Sequence, residues 1–562
     1  MKVDLTYGFR SGLTSSAAGD HCLHFAPNLS RDAVGMDAPL TDPLRFREAI
    51  SALHDIVVSD LRFQRKDKSN YLNWKASQRQ AESKIRQEAI QSKLGSAVGK
   101  PTSELTREYK SALKKYWNSR KQLNSRLRSE NRALWRKLMP YDPVITVADD
   151  VVFFECFSAD ESSYGCLTVD REGMFGRTND AALGTTNVDY SWALYDSFQK
   201  LRTYRETRFQ VDPSGLDVST TGTDSHHEEK IDLPDGWLRG FMQLQSAMCL
   251  PMRRVELSVG TAYSLLAFLK RNRERKGPRA IRFELADGKS PRIVLEPWET
   301  ALPEIDPIYQ GNSGDPIRVW GRRRLEALAR VLPLCTSIDV YLLGSGLPSF
   351  WVAKMGNMRL TLGLSGWTTN DWTRGSAVNM LLPTEQPSGQ LVTQIAEYLA
   401  RSRAAKIDRI AGANSTTMGS AAHALSHLAQ RGQVIFDLGA GKFRWRQVMP
   451  IELSDRELGP PHPEQSADIS IRAQKNFSIA NMTAGPRGGT LVIGKVEHQN
   501  NEVLIDSDGS IRKGRCECGW HYKYGIRNGP CRHLQVLRDA FWHQDGNQQA
   551  DWYERRLAWV GG

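Results

Sequence analysis

Apolar positions along this chain change spacing from one region to the next, and those changes mark out its elements. DPLRFREAISALHDIVVSDL, residues 42–61, repeats at the helical period, with Asp42 placed to cap the helix and Pro43 at its first position. Residues 62–94 are polar and free of Gly and Pro until LGSAVGKPTS at 94–103 breaks the run. A second helical stretch then reaches Leu138, with a heptad-like seam of Tyr109, Leu113, Tyr116, Leu123, Leu127 and Leu134 interrupted at Arg120. Two long helices around a short Gly/Pro turn predict an antiparallel helical hairpin over 61–140, after an N-terminal region 1–60 with one helix. Residues 141–385 mix both periods and predict an α/β central region of one or two subdomains. Its strands are VITVADDVVFFECF, YGCLTV, RRVELSV, AIRFEL, PRIVLEPW and SIDVYLLG, and its helices TAYSLLAFLKRNRER and GRRRLEALARVL. STTGTDSHHEEKID at 219–232 reads as an exposed loop, because four adjacent residues such as His226–Glu229 rarely converge on one ion. Packing is the only reason the sequence offers for the Trp-rich MRLTLGLSGWTTNDW.

QLVTQIAEYLA, AAKIDRIAGA and TTMGSAAHALSHLAQRG predict three helices within 389–450, and QVIFDLGAGKFRWRQV predicts a hairpin with Gly439 and Gly441 at its tip. That order resembles a winged-helix domain. Its third helix would bury Ala421, Ala424, Leu425 and Leu428, leaving Ser420, His423, His427 and Gln430 outward. This outward face has no cation before Arg431, so the wing cations Lys442, Arg444 and Arg446 are the better candidates for phosphate. A linker at 451–475, containing GPPHPEQS, separates this region from the C-terminal module at 476–562.

Charge is concentrated rather than spread. The net charge is +12, yet 61–140 alone holds 21 Lys/Arg against 6 Asp/Glu, leaving the rest of the chain slightly acidic. Lys114, Lys115, Arg120, Lys121, Arg126 and Arg128, interleaved with Trp117 and Trp135, are therefore candidate contacts for nucleic acid, DNA or RNA, or for an acidic protein surface. The longest apolar runs, such as VVFFECF, are strand-sized, which predicts a cytoplasmic chain with no membrane partner. Cys22, Cys156, Cys166, Cys249 and Cys335 are scattered and suggest no disulfide framework.

Three of the eight cysteines cluster in CECGWHYKYGIRNGPCRH, which gives Cys516, Cys518, Cys531 and His533 as candidate ligands of one structural Zn2+. Tetrahedral zinc takes four N/S donors, and four protein ligands leave no open position for water. Gly514 and Gly519 flank the first pair and permit a turn, and Pro530 opens a helix whose Leu534, Val536, Leu537, Ala540 and Phe541 would pack beneath the site. His521 lies in the intervening loop as a surface residue. TLVIGKVEHQ and NEVLIDSDGSIRKGRCEC read as strands leading into the ligands. This arrangement resembles the SWIM zinc finger, whose pattern is Cys-x-Cys, a variable gap, then Cys-x-His. SWIM fingers are associated with DNA binding or protein contact, so the resemblance implies a binding module.

Other motifs are decoys. VIFDLGAGKF echoes a methyltransferase glycine motif, but Phe443 replaces the third glycine and no helix follows. Gly344 and Gly346 echo a dinucleotide loop without its helix, and neither GxxxxGK[ST] nor HExxH occurs. No nucleophile, base and oxyanion donor assemble by spacing, so a non-enzyme is expected. The fold class is α+β multidomain, and the chain, through its C-terminal module at 476–562, resembles bacterial SWIM proteins with long N-terminal regions of unassigned function, often encoded beside MoxR-type AAA ATPases and von Willebrand A (VWA) domain proteins. That resemblance implies an adaptor with an AAA ATPase and a VWA protein as partners. The alternative is a nucleic-acid-processing enzyme, metal-dependent and nuclease-like, with its active site in 141–385.

Overall fold

Apolar runs in 144–187 and 253–364 pair into one eight-stranded antiparallel sheet that organises the molecule. The computed structural model describes residues 5–59 and 143–561 apart from short stretches, the longest being 212–225, 373–380 and 449–463. All described residues belong to one unit comprising 1–60 and 140–562. The helical hairpin expected over 61–140, with its candidate cations Lys114, Lys115, Arg120, Lys121, Arg126 and Arg128, lies outside the described residues.

Helix α1 (Pro43–Val57) starts as its sequence dictates: Asp42 accepts from the Arg45 backbone N–H and Pro43 occupies the first turn. The central sheet contains β1 (Val144–Val147), β2 (Val151–Phe157), β3 (Ser163–Asp170), β4 (Gly184–Asn187), β5 (Arg253–Leu257), β6 (Ser337–Leu342), β7 (Ser349–Lys354) and β8 (Met358–Leu364), in spatial order β5-β6-β7-β8-β3-β2-β1-β4. Every neighbouring pair is antiparallel. Strands β1 to β3 are buried almost throughout, so they read as continuous apolar runs rather than alternating ones. Gly165 in β3 is where α1 presses closest, since a Cβ there would lie 2.7 Å from Leu53.

The order of elements repeats, although the first strand belongs to a separate sheet, paired with Thr207–Val211. A strand at Met36–Pro39, then α1, then the meander β1-β2-β3 is followed later by β5, a helix at Val259–Arg271, and the meander β6-β7-β8. The two meanders meet where β8 pairs with β3, Met358 opposite Val169 through Leu364 opposite Ser163. Both copies carry an insertion between helix and meander. The first is the basic segment, and the second is a four-stranded sheet with strands at Ile281–Glu284, Arg292–Leu295, Thr300–Ala301 and Ile317–Val319.

Two local expectations change. GRRRLEALARVL forms a 3-10 helix over Arg322–Arg330, not an α-helix. The three-residue turn lines up Arg322, Leu325 and Leu328, all buried. His226–Glu228, expected in a loop, pairs as a strand with Leu5–Tyr7.

Helices α2 (Asp235–Met248), α3 (Gly389–Ser402), α4 (Ile407–Ala413) and α5 (Met418–Gln430) and strands β9 (Ala404–Ala405), β10 (Val434–Asp437) and β11 (Lys442–Trp445) form the next layer. The strands make a sheet of order β9-β11-β10. The stretch AAKIDRIAGA, read as one helix, begins as β9 and turns into α4 at Ile407. Helix α5 is buried on two faces. Ala421, Ala424, Leu425 and Leu428 pack with α3 and α4, while the small side chains of Ala422, Ser426 and Ala429 are buried as well, and α2 packs closely on this helix.

The C-terminal region is a meander of β12 (Phe477–Ala484), β13 (Thr490–Val496), β14 (Gln499–Ile505) and β15 (Ile511–Arg515) covered by α7 (Arg532–Gln544). A Cβ at Gly494 would lie 2.6 Å from Leu537, and one at Gly514 would lie 2.4 Å from Leu534. Gly514 thus serves close helix approach inside a strand, not the turn expected of it. The last helix, α8 (Asp551–Val560), packs on α5. Arg556 on it donates to the Pro251 and Leu343 carbonyls, and Arg253 donates to the Trp559 carbonyl at 3.0 Å. One buried apolar cluster runs from Val144 and Phe241 through Ala422 to Val503, Leu534 and Trp552. No described helix is long and apolar enough to cross a membrane.

Candidate metal centre

The structure brings Cys516, Cys518, Cys531 and His533 together, with every pair of donor atoms within 4.8 Å. Cys516 and Cys518 follow β15, whose register with β14 sets Glu502 opposite Arg515. Cys518 caps the short helix α6 (Gly519–Tyr524), its sulfur accepting from the His521 N–H at 3.3 Å, and the Cys518 N–H points to the Cys516 sulfur at 3.4 Å. Backbone N–H groups aimed at sulfur favour the thiolate form. Cys531 immediately precedes α7, and its carbonyl accepts from Leu534 and Gln535, so His533 lies in the first helical turn. The linker also contributes: Glu464 accepts from the Arg532 N–H at 2.8 Å, placing a carboxylate at the positive end of α7.

Burial is deep: Cys531 is 0% exposed and His533 1%, while Cys518, the most open, is 9%. His533 Nδ1 lies 3.5 Å from the Cys516 sulfur. Tetrahedral zinc with bonds of about 2.3 Å to sulfur and about 2.1 Å to nitrogen separates those two donors by roughly 3.6 Å. The residues therefore fit the metal. His533 Nε2 lies 3.0 Å from Glu497 Oε2. A proton on Nε2 donates to that carboxylate and leaves the Nδ1 lone pair free to hold a metal among the sulfurs.

Electrostatics divide the donor set. Hydrogen bonds with Cys531 come first in drawing Cys516 and Cys518 below the usual thiol range, and the same bonds push Cys531 well up. Burial opposes a charged His533, but hydrogen bonds to Cys516 and Cys518 raise it to about 9. Negative charge thus accumulates on the sulfurs, where a divalent cation would share it. His521, considered as a loop residue, is not part of the cluster.

Glu497 is the functional residue that the sequence reading missed. It sits at φ 46° in the β13–β14 turn, and Arg532 also approaches its carboxylate, at 3.3 Å. Glu497→Ala is expected to weaken zinc binding about 10–100-fold while leaving one zinc per chain at saturation. Competition titration against a chromophoric chelator checks this.

The wing cations need correction. Arg444 is 4% and Arg446 2% exposed, so neither faces a phosphate backbone. Arg444 grips Asp150 through two bonds, at 2.6 and 3.0 Å, and donates to Asp437 at 2.9 Å. Arg446 donates to Glu155 at 2.6 Å, beside the Tyr164 hydroxyl, which donates to the same oxygen. These arginines hold the β10–β11 hairpin against the central sheet, and the tip glycine Gly439 lies so near Arg359 that a Cβ would come within 2.5 Å of it. Lys442 remains half-buried at the start of β11.

No family model matches the chain, and no curated protein matches it. Among solved structures it is similar to the proliferating cellular nuclear antigen of Entamoeba histolytica, at 10% identity and a TM-score of 0.27 over 41% of this chain and 91% of that one. It is also similar to the A. fulgidus PCNA bound by the C-terminal region of FEN-1, at 11% identity and a TM-score of 0.27 over 42% and 93%.

Proposed function

We propose that this chain is a zinc-clamped, non-catalytic interaction protein that binds nucleic acid or an acidic protein surface. The observation that carries the reading is the closed Cys3His donor set with Glu497 behind the histidine, which offers four protein ligands and no open position. Such a centre holds the β14–β15 edge and the start of α7 in shape and has no vacancy for substrate. The Cys-x-Cys and Cys-x-His spacing supports assigning the module to the SWIM type. Resemblance to SWIM proteins implies work as a recognition subunit beside an AAA ATPase and a VWA protein.

The order helix, strand, helix, helix, strand, strand over 389–445 supports a winged-helix-like reading of that region. Its third helix is buried on two faces and its wing arginines are paired with carboxylates, which favours internal docking over groove reading. The contact with an anionic partner is therefore assigned to the basic segment 61–140.

Reversing Lys114, Lys115, Arg120 and Lys121 to Glu tests the reading. Affinity for DNA or RNA at low salt should fall by about tenfold or more, with a shallower salt dependence. Unchanged affinity would remove the segment as the binding surface. Incubation with labelled DNA and RNA plus Mg2+ or Mn2+ should give retardation without cleavage. Metal-dependent cleavage abolished by one carboxylate substitution in 141–385 would replace this reading with a nuclease.

A further inference from the structure

A cleft of about 990 Å3 opens between the inserted four-stranded sheet, the turn joining β6 to β7, the start of β15 and the C-terminal helix α8. Its volume lies at the upper end of the range for ligand pockets, roughly 300–1,000 Å3. Two features distinguish it chemically. Five cations line it, Arg253, Arg318, Arg512, Lys513 and Arg555, against the carboxylates of Asp315 and Asp506. It also holds a pair of partly exposed indoles, Trp320 and Trp367, with ring centroids 4.0 Å apart and planes 36° from parallel.

The chain is shaped to keep that pair. Gly346 has φ +77°, and a Cβ there would sit 2.2 Å from the Trp367 ring. The Trp367 backbone N–H donates to the Gly346 carbonyl, and the Gly346 N–H donates to the Arg318 carbonyl, two residues before Trp320. Trp367 is backed by Gly346 and Trp320, with the Arg527 guanidinium 5.5 Å from its ring centre. Trp559 is engaged by the guanidiniums of Arg253 and Arg556, each 4.1 Å from its ring centre. Trp320 is thus the indole left to take a further flat ring. Around it, Arg318 is 41% exposed with its Nε held by Glu296, and Lys513 is exposed on β15.

We infer that this cleft binds a single-stranded stretch of nucleic acid, one base stacking on Trp320 and the flanking phosphates meeting Arg318 and Lys513. The inference deepens the proposed function and rests on its nucleic-acid arm. Stacking on an indole needs an unpaired base, because paired bases present only their edges to a cleft. An acidic peptide would use the cations but has no use for a stacked indole pair. The metal centre and the cleft share a strand, since Arg512 and Lys513 stand on β15, which leads into Cys516.

Anisotropy titration of the zinc-loaded full chain with a labelled oligothymidylate tests the assignment. Trp320→Ala should weaken binding about 5- to 100-fold, with Trp320→Phe retaining most of the affinity. Lys513→Glu should reduce the salt slope by about 0.7, the value for one phosphate contact on a single strand. Photo-cross-linking of an iodouracil-containing oligonucleotide to the unmodified chain should label Trp320, a readout that holds even where Trp320→Ala melts. Wild-type affinity in both variants, or cross-links that avoid the cleft, would overturn the inference while the hairpin reading stands. Absence of any oligonucleotide binding at low salt would overturn the inference together with the nucleic-acid arm of the proposed function. Competition by polyglutamate or by a mononucleotide as effective as that by the oligomer would also overturn it.

Discussion

Replacing Cys531 by serine is expected to strip the chain of zinc and to melt its C-terminal meander. The sulfur of Cys531 is fully buried at the junction of both halves of the site, hydrogen-bonded with Cys516 and Cys518 and fixed at the start of α7. Serine offers a hard, neutral oxygen in its place, a poor fourth donor for zinc beside thiolates. Little else closes this corner: β12 is exposed along most of its length, and the short helix after Cys518 buries none of its residues. Zinc binding in small structural sites is worth about 10–16 kcal/mol, and most of it is folding energy. Hydrogen exchange should therefore accelerate across β14, β15 and α7 in Cys531→Ser, with the same pattern in wild type after chelation. The central sheet should keep its protection. Exchange confined to the termini, with zinc still bound, would contradict the assignment.

Arg446→Ala is expected to destabilise the body of the molecule by about 3–5 kcal/mol. Its guanidinium and the Glu155 carboxylate are 1% and 0% exposed and 2.6 Å apart. Truncation leaves Glu155 inside the sheet with, among the described residues, the Tyr164 hydroxyl as its hydrogen-bond partner. Gln245, with its amide oxygen toward Arg446, also bridges to the Ala429 and Val434 carbonyls, so the damage extends into α5 and β10. Glu155 Oε2 and Arg446 Nε make no hydrogen bond among the described residues. The pair is thus incompletely satisfied, and an apolar replacement of both partners, Glu155→Leu with Arg446→Met, should recover most of the loss. Denaturant midpoints of the two single variants and the double variant check this. Additive losses would show that the two charges do not act as a pair.

The metal site was legible because its information is local. Spacing alone brought Cys516, Cys518, Cys531 and His533 forward, and the strand and helix signals around them hold as β13, β14, β15 and α7. Glu497 was not legible, because an acid in a turn carries no pattern until folding brings His533 beside it. Charge counting misjudged Arg444 and Arg446 for a related reason. A cation in a strand reads the same whether it faces water or a carboxylate about 290 residues away. Helix α5 was read correctly as a helix but with one face, since Ala422, Ser426 and Ala429 are too small to register as a second apolar stripe. The repeated strand, helix and meander left no trace either, because it lies in topology and each copy is interrupted by a different insertion.

The account rests on one zinc held by three sulfurs and one nitrogen. X-ray absorption at the zinc edge of the purified full chain tests it most directly. The predicted result is one zinc per chain, with three sulfurs at about 2.3 Å, one nitrogen at about 2.0–2.1 Å and no oxygen shell. An open position filled by water, or a chain that folds and binds its partners without zinc, would contradict it.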